Sequence, residues 1–163
     1  MTHPFSKESS ESAELPAAVA VRVVTMAELP VIRMLNAAIF NEERVINRFD
    51  RAGLLILIAY VNDEPVGFKI GYRFDAHTFY SAKGGVLPAF RRRGIARELL
   101  YVMIEHVRSQ GYQRFLFDTF PNKHPGMTIM ALEEGFRVSQ ADYNDVYLDY
   151  RLQFEKNIVD ANR

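Results

Sequence analysis

Between Gly84 and Leu100 an apolar strand, a basic turn and an amphipathic helix follow one another without a break. The helix is legible in Ile95, Leu99, Val102, Met103 and Val107, whose spacing puts one apolar face against a core. Arg97, Tyr101, Glu105 and Arg108 fall on the other face. A strand after this helix, Arg114 to Thr119, makes the unit a crossover, so the strands flanking the helix are expected to be parallel neighbours. Gly94 stands at the turn into the helix, behind Arg91, Arg92 and Arg93. The free N–H groups and positive dipole end of a helix start suit a phosphate. In sheets of this kind ligands bind off the carboxyl ends of strands, which puts the site at Leu87 to Ala96.

The rest of the chain fits around that unit as one domain. Its 163 residues suffice for a single core. Residues 1–16, rich in Ser and Glu, read as a loosely ordered leader, residues 17–154 as the folded domain and residues 155–163 as a frayed tail. A first strand runs from Ala17 to Val24, and Thr25 with Glu28 has capping-box spacing ahead of a helix carrying Ile32, Leu35 and Ile39. A second helical piece is expected at Glu42 to Arg51, ending at Gly53. Leu54 to Val61 is uniformly apolar; after the turn Asn62–Pro65, Val66, Phe68, Ile70 and Tyr72 alternate with Gly67, Lys69, Gly71 and Arg73, giving a hairpin. A fourth strand, Thr78 to Leu87, enters the basic loop, and Gly84-Gly85 suits a bulge or a close backbone approach. A short helix spans about Pro125 to Glu134, and strands near Phe136 to Ser139 and through Val146, Leu148, Tyr150 and Leu152 complete the chain. The expected class is α/β, with a mixed sheet of about seven strands and about four helices.

Composition removes several functions. Lysine and arginine total 20 against 20 acidic residues, so the chain lacks the basic footprint of a nucleic-acid or anionic-membrane binder. Cys is absent, which excludes disulfides, thiolate catalysis and cysteine–zinc sites. The 4 histidines are scattered, so no metal is expected. The longest apolar run, Leu54 to Val61, is far short of the roughly 20 residues of a membrane span. A cytoplasmic protein is the expectation.

Val86-x-Pro88-x-Phe90-Arg91-Arg92-Arg93-Gly94-Ile95-Ala96 resembles the acetyl-coenzyme-A loop of the GCN5-related N-acetyltransferases (GNAT). The family signature Gln/Arg-x-x-Gly-x-Gly/Ala is met by Arg91, Gly94 and Ala96. The downstream pattern is met by Phe115 to Thr119, Asn122, and a short helix ending in Glu133-Glu134-Gly135-Phe136. The resemblance implies a GNAT fold from about Val19 to Leu152, in which the parallel fourth and fifth strands splay and pantetheine lies in the gap. It implies acetyl-CoA as co-substrate, bound by backbone groups of Val86 and Leu87, by amides of Arg91, Arg92, Arg93, Gly94, Ile95 and Ala96, and by Asn122. It implies transfer of acetyl to an amine by direct attack in a ternary complex. The resemblance leaves the acceptor open between a small-molecule amine and a peptide or protein amine, and a homodimer is a partner the family allows.

Two positions depart from the family pattern. Arg92 stands where many members have Gly, and Ala131 where a Tyr often serves as general acid. The thiol, with an ordinary pKa of ~8.5, leaves as thiolate near pH 7 at a cost of about 2 kcal/mol, whereas a lysine-like acceptor costs roughly 4–5 kcal/mol to deprotonate. A base therefore matters more than an acid. The fourth strand carries no Asp or Glu for that role. Asp118, Glu43 and its neighbour Glu42 are candidates, against readings as a structural carboxylate and as ordinary first-turn acids. Tyr143 and Tyr147 are candidate acids, against half-buried strand tyrosines, while His77 and His124 lie in loops and read as solvated, with His124 kept as a candidate because it follows Asn122 closely. Without a base the chain would be a non-catalytic acyl-CoA-binding regulatory module of the same fold. If Arg91 to Arg93 were only a basic turn, it would be a nucleic-acid or protein interaction domain.

Overall fold

The computed structural model describes residues 18–159, so the expected leader lies outside the described residues. Seven strands form one sheet in the order β1-β2-β3-β4-β5-β7-β6. They are β1 (Val19–Val24), β2 (Leu55–Val61), β3 (Glu64–Arg73), β4 (Thr78–Val86), β5 (Arg114–Thr119), β6 (Arg137–Asn144) and β7 (Asp149–Asn157). The α-helices are α1 (Leu29–Phe40), α2 (Ile95–Ser109) and α3 (Pro125–Glu133). β4 and β5 are parallel, joined by the crossover through α2, and the other neighbours are antiparallel.

Each face of the sheet packs against helix. On one face Leu57, Phe79, Phe115, Phe117 and Phe154 meet the buried stripe of α2, Ile95, Leu99, Leu100, Met103 and Val107. On the other, Ile56, Ile58, Phe68 and Ile70 meet Ile32 and Leu35 of α1. β2 is apolar at successive positions because both of its faces are covered. Pro30 sits in the first turn of α1, after a 3-10 turn in which Thr25 Oγ1 accepts from the Ala27 N–H.

The helix expected at Glu42 to Arg51 is absent: the described residues hold three α-helices, and this segment is an irregular loop. Its path is fixed by the buried Asn36, whose Nδ2 donates to the carbonyls of Glu42 (2.8 Å) and Arg44 (3.3 Å), while Val45 plugs the α1 core. Those carbonyls are thereby taken from a helical ladder. Asn41, at φ 54°, ends α1 in the left-handed region.

Two further expectations are corrected at the C-terminal end. Val146 and Leu148 belong to the β6–β7 turn, Leu148 at φ 53°, and β7 starts at Asp149. β7 also continues through Asn157, and Ile158 is buried, so the chain from Glu155 to Ile158 is ordered structure where a frayed tail was expected. Burying Ile158 against the α2 face gives these residues the apolar anchor that a terminus needs.

Candidate active site

β4 and β5 pair over four residues only, from Thr78↔Arg114 to Ser81↔Phe117. β4 then shifts register against β3, where Ser81 is paired with Gly71 and Lys83 with Ile70, so Ala82 is the extra residue of a bulge. The bulge therefore lies at Ala82, where pairing with β5 stops, and not at Gly84-Gly85. A bulge bends its strand and strengthens the local twist. Past it β4 stays with β3 to Val86 while β5 stays with β7 to Thr119, leaving an open slot between them. Gly85 serves the close approach expected of the pair: a Cβ there would stand 2.8 Å from Ile39 and 3.1 Å from the Phe40 ring.

Of the two backbone positions expected to line the slot, one is available. The Leu87 N–H donates to the Val66 carbonyl at 2.8 Å and the Leu87 carbonyl accepts from Phe90 N–H at 2.9 Å, so Leu87 is committed to β3 and to a 3-10 turn over Pro88–Phe90. Strand alternation turns the Val86 peptide groups the other way, toward the slot. There the Val86 carbonyl accepts from Arg91 Nε at 3.2 Å. The Val86 N–H is the donor left to face a ligand or an oxyanion.

The loop then delivers a helix start. Arg92 has φ 62°, a left-handed conformation at the position where the family often carries Gly. Gly94, at φ 78°, is the residue before α2, and a Cβ built on it would meet nothing within 4 Å. Its glycine is required by backbone conformation, and the space beside it is open to a ligand. Glu98 N–H closes the first turn on the Gly94 carbonyl, so the amides of Ile95 to Arg97 point out of the helix end. The Arg93 guanidinium lies over Phe90, and Arg97 is held by Glu133 and Glu134 at the end of α3.

Over the slot, on the α1 face, four side chains from distant parts of the chain converge. Phe40 packs above Gly85, meets the His124 ring edge-on at 6.2 Å, and lies 4.6 Å below the Lys83 ammonium. Lys83 donates to Glu42 Oε2 at 2.6 Å and to the Arg44 carbonyl at 3.1 Å. His124 precedes α3 just beyond β5. Partial burial, with the charges of Arg91 and Lys123 against the opposing pull of Glu42, holds its pKa below the ordinary imidazole value. The ring is thus neutral at neutral pH and has a free nitrogen for a proton.

The sequence-based candidates are distributed otherwise. Asp118 Oδ2 accepts from the Tyr80 hydroxyl at 2.6 Å, a side-chain bond between β4 and β5. Burial, then that bond, raises the Tyr80 pKa far above its usual range, so the phenol remains a donor. Tyr143 is half exposed on β6, at the sheet edge two strands from the slot, and stacks edge-on with Tyr150 at 5.3 Å. Glu43 is exposed, and its neighbour Glu42 is the one that reaches β4. Asn122 lies beyond β5 but gives its Nδ2 to Asp149 at 3.0 Å. Ala131 is fully buried in the core and brings no hydroxyl of its own. Lys83 and Phe40 were not singled out by sequence; the spacing of Lys83 after the bulge carries no local signal. Among the described residues no group of three or more His, Asp or Glu could hold a metal ion, and no helix is long and apolar enough to cross a membrane.

A sequence model described as the Acetyltransferase (GNAT) family matches residues 26–128. No curated protein matches the sequence. Among solved structures the fold is similar to the ribosomal-protein-S18-alanine N-acetyltransferase from Escherichia coli, with TM-score 0.75 and 14% identity over 88% of this chain and 96% of that one. It is similar to a GNAT family acetyltransferase from Elizabethkingia anophelis with acetyl-CoA bound, with TM-score 0.73 and 18% identity over 85% and 97%. It is also similar to Arabidopsis thaliana Naa50 in complex with the bisubstrate analogue CoA-Ac-MVNAL, with TM-score 0.72 and 19% identity over 85% and 98%. With its parted parallel strands, its glycine-started helix and a family match across most of the domain, this chain belongs to the GNAT acetyltransferase family.

Proposed function

We propose that the protein transfers an acetyl group from acetyl-CoA to a free amine by direct attack in a ternary complex. The observation that carries this reading is the slot opened at Ala82 on β4, the strand whose chain runs on through the loop to the free amides at the start of α2. A pantetheine arm would lie in the slot along the free edge of β4, and the pyrophosphate would take the loop from Arg91 to Ala96. Asn122 would reach the coenzyme by exchanging its bond to Asp149.

For the chemistry we assign the base to His124. It is the uncharged titratable group at the slot mouth, and Phe40 fixes one side of its ring. It accepts the proton of the incoming ammonium, and the amine attacks the thioester carbonyl. The oxyanion takes the Val86 N–H, coenzyme A departs as thiolate, and that thiolate takes the second proton shed by the amine nitrogen. The Glu42–Lys83 pair offers a carboxylate on the α1 side of the mouth to orient a cationic acceptor. A peptide or protein amine as acceptor is supported by two of the structural relatives, one named for acetylating an alanine of a ribosomal protein and one bound to a CoA–peptide analogue. A cytoplasmic setting goes with this reading.

Thiol release from acetyl-CoA with a panel of small amines, lysine peptides and peptide N-termini tests the assignment. Turnover on at least one class is expected. Acetyl-CoA binding with no turnover on any of them would make the chain a non-catalytic coenzyme-binding module.

A further inference from the structure

Lys69 is a cation in the wrong place for an ordinary strand residue. It is 6% exposed, on the middle of β3. Its register partner on β2 is Leu57, a member of the core beneath α2, so the side chain runs under that helix. Burial alone acts on its ionisation, with no acidic partner and no hydrogen bond contributing. Its surroundings are stripped of side chains: Gly67 and Gly71 precede and follow it on the same face, and Gly84 is its partner on β4.

The stem leans across that last glycine. A Cβ built on Gly84 would stand 3.2 Å from Lys69 Cγ, well inside the distance ordinary cross-strand neighbours keep. Strands lie about 4.8 Å apart, and the lysine stem has four carbons, so a side chain crossing Gly84 brings its nitrogen to the far edge of β4. At this level β4 has no strand beyond it, because pairing with β5 has stopped at Ser81. From there the stem is long enough for the amine to reach the slot, from the α2 side, opposite His124 and Lys83.

We propose that Lys69 is a self-acylation site, taking the acyl group of a coenzyme thioester bound in the β4–β5 slot. The proposal rests on the reading that this slot holds acetyl-CoA. The neutral amine attacks the thioester carbonyl, the C–N bond forms as the C–S bond breaks, and coenzyme A leaves as thiolate. The proton shed by the nitrogen goes to that thiolate, so the step needs no further reactant. Burial, which holds the Lys69 pKa at about 8, keeps part of the amine unprotonated near neutral pH. Acylation also replaces a desolvated ammonium by a neutral amide, which the site accommodates better. The acyl-lysine then occupies space the coenzyme needs, so the modification would slow turnover when acetyl-CoA is present and acceptor is scarce.

The test incubates the full chain with acetyl-CoA and no acceptor, then locates added acetyl groups by peptide mass mapping while the melting temperature is followed. Acetylation at Lys69 is expected, slowed at least tenfold by excess coenzyme A and absent in Lys69→Arg. Chemical acetylation of exposed lysines is not slowed by coenzyme A and serves as the internal standard. A chain that acetyl-CoA stabilises but that stays unmodified at Lys69 overturns the proposal and leaves the slot standing. A chain that acetyl-CoA does not stabilise overturns the slot, and the proposal with it. Modification of Lys69 at an undiminished rate under excess coenzyme A also overturns it, since the acyl group would then arrive from solution.

Discussion

The Tyr80 hydroxyl donates to Asp118 Oδ2 at 2.6 Å, across the last stretch where β4 and β5 are still paired. The bond locks the two strands just before they part. It also engages Oδ2 of the carboxylate, and we propose that Asp118 serves there as a structural acceptor. Tyr80→Phe is expected to lower stability by about 1–2 kcal/mol, since it leaves a half-buried carboxylate short of one charge-assisted bond. Urea unfolding measures that loss, and kcat should be unchanged. A large fall in kcat with intact stability would return Asp118 to the catalytic set.

His124 carries a different expectation. Its imidazole pKa is lowered by burial and by the charges of Arg91 and Lys123, so protonation on acidification comes later than for a free histidine. The rate should hold as pH falls to about 6.5 and drop only below it. His124→Gln should lower kcat about 10²-fold or more and remove that acid limb, with acetyl-CoA affinity retained. Steady-state rates across pH 5 to 9, taken with coenzyme titrations, separate the two effects. An acid limb that persists in the variant assigns the base elsewhere.

The alternation Val66, Phe68, Ile70, Tyr72 against Gly67, Lys69, Gly71, Arg73 reads in sequence as a hairpin strand. The structure covers both faces of that strand, Phe68 and Ile70 packing on the α1 side and Lys69 lying on the α2 side, and a register shift leaves Val66 unpaired so that it packs on the α2 side, away from Phe68. A period-2 pattern shows neither such a bulge nor what lies over each face. The bounds of α2 and β5, by contrast, are legible from local signals alone: the 3.6-residue apolar stripe, Gly111 after the helix and the strand-forming run Arg114 to Thr119. So is the glycine-started helix, because Gly94 and Ile95 are adjacent in the chain. The slot mouth is not legible in that way. Phe40, Glu42, Lys83 and His124 come from three separate segments, and only the bulge at Ala82 and the loop held by Asn36 bring them together. Glu42 and Glu43 are indistinguishable as letters; the irregular loop aims one at Lys83 and the other at solvent.

Lys69 should show its cost in stability. Its pKa is lowered from 10.5 to about 8 in the folded chain, so folding at neutral pH disfavours the ammonium by about 3 kcal/mol. The unfolded chain binds the proton more tightly, so stability rises with pH between about 8 and 10.5 as this penalty is relieved. Lys69→Met should therefore raise stability at pH 7 by up to about 3 kcal/mol, and the gain should vanish above pH 10.5. Denaturant unfolding at the two pH values checks both halves. Equal gains at both would mean that the ammonium carries no burial penalty.

The coenzyme slot itself is tested most directly at Gly94, where the helix amides are exposed and a side chain would enter open space. Calorimetric titration of acetyl-CoA into the wild-type chain and into Gly94→Glu, each verified as folded by circular dichroism, is the measurement. The expected result is saturable one-to-one binding to the wild type, and loss of binding in the variant, whose carboxylate stands where the pyrophosphate would lie. Equal affinity in the two proteins would contradict the assignment of this loop, and with it the slot between β4 and β5 as the coenzyme site.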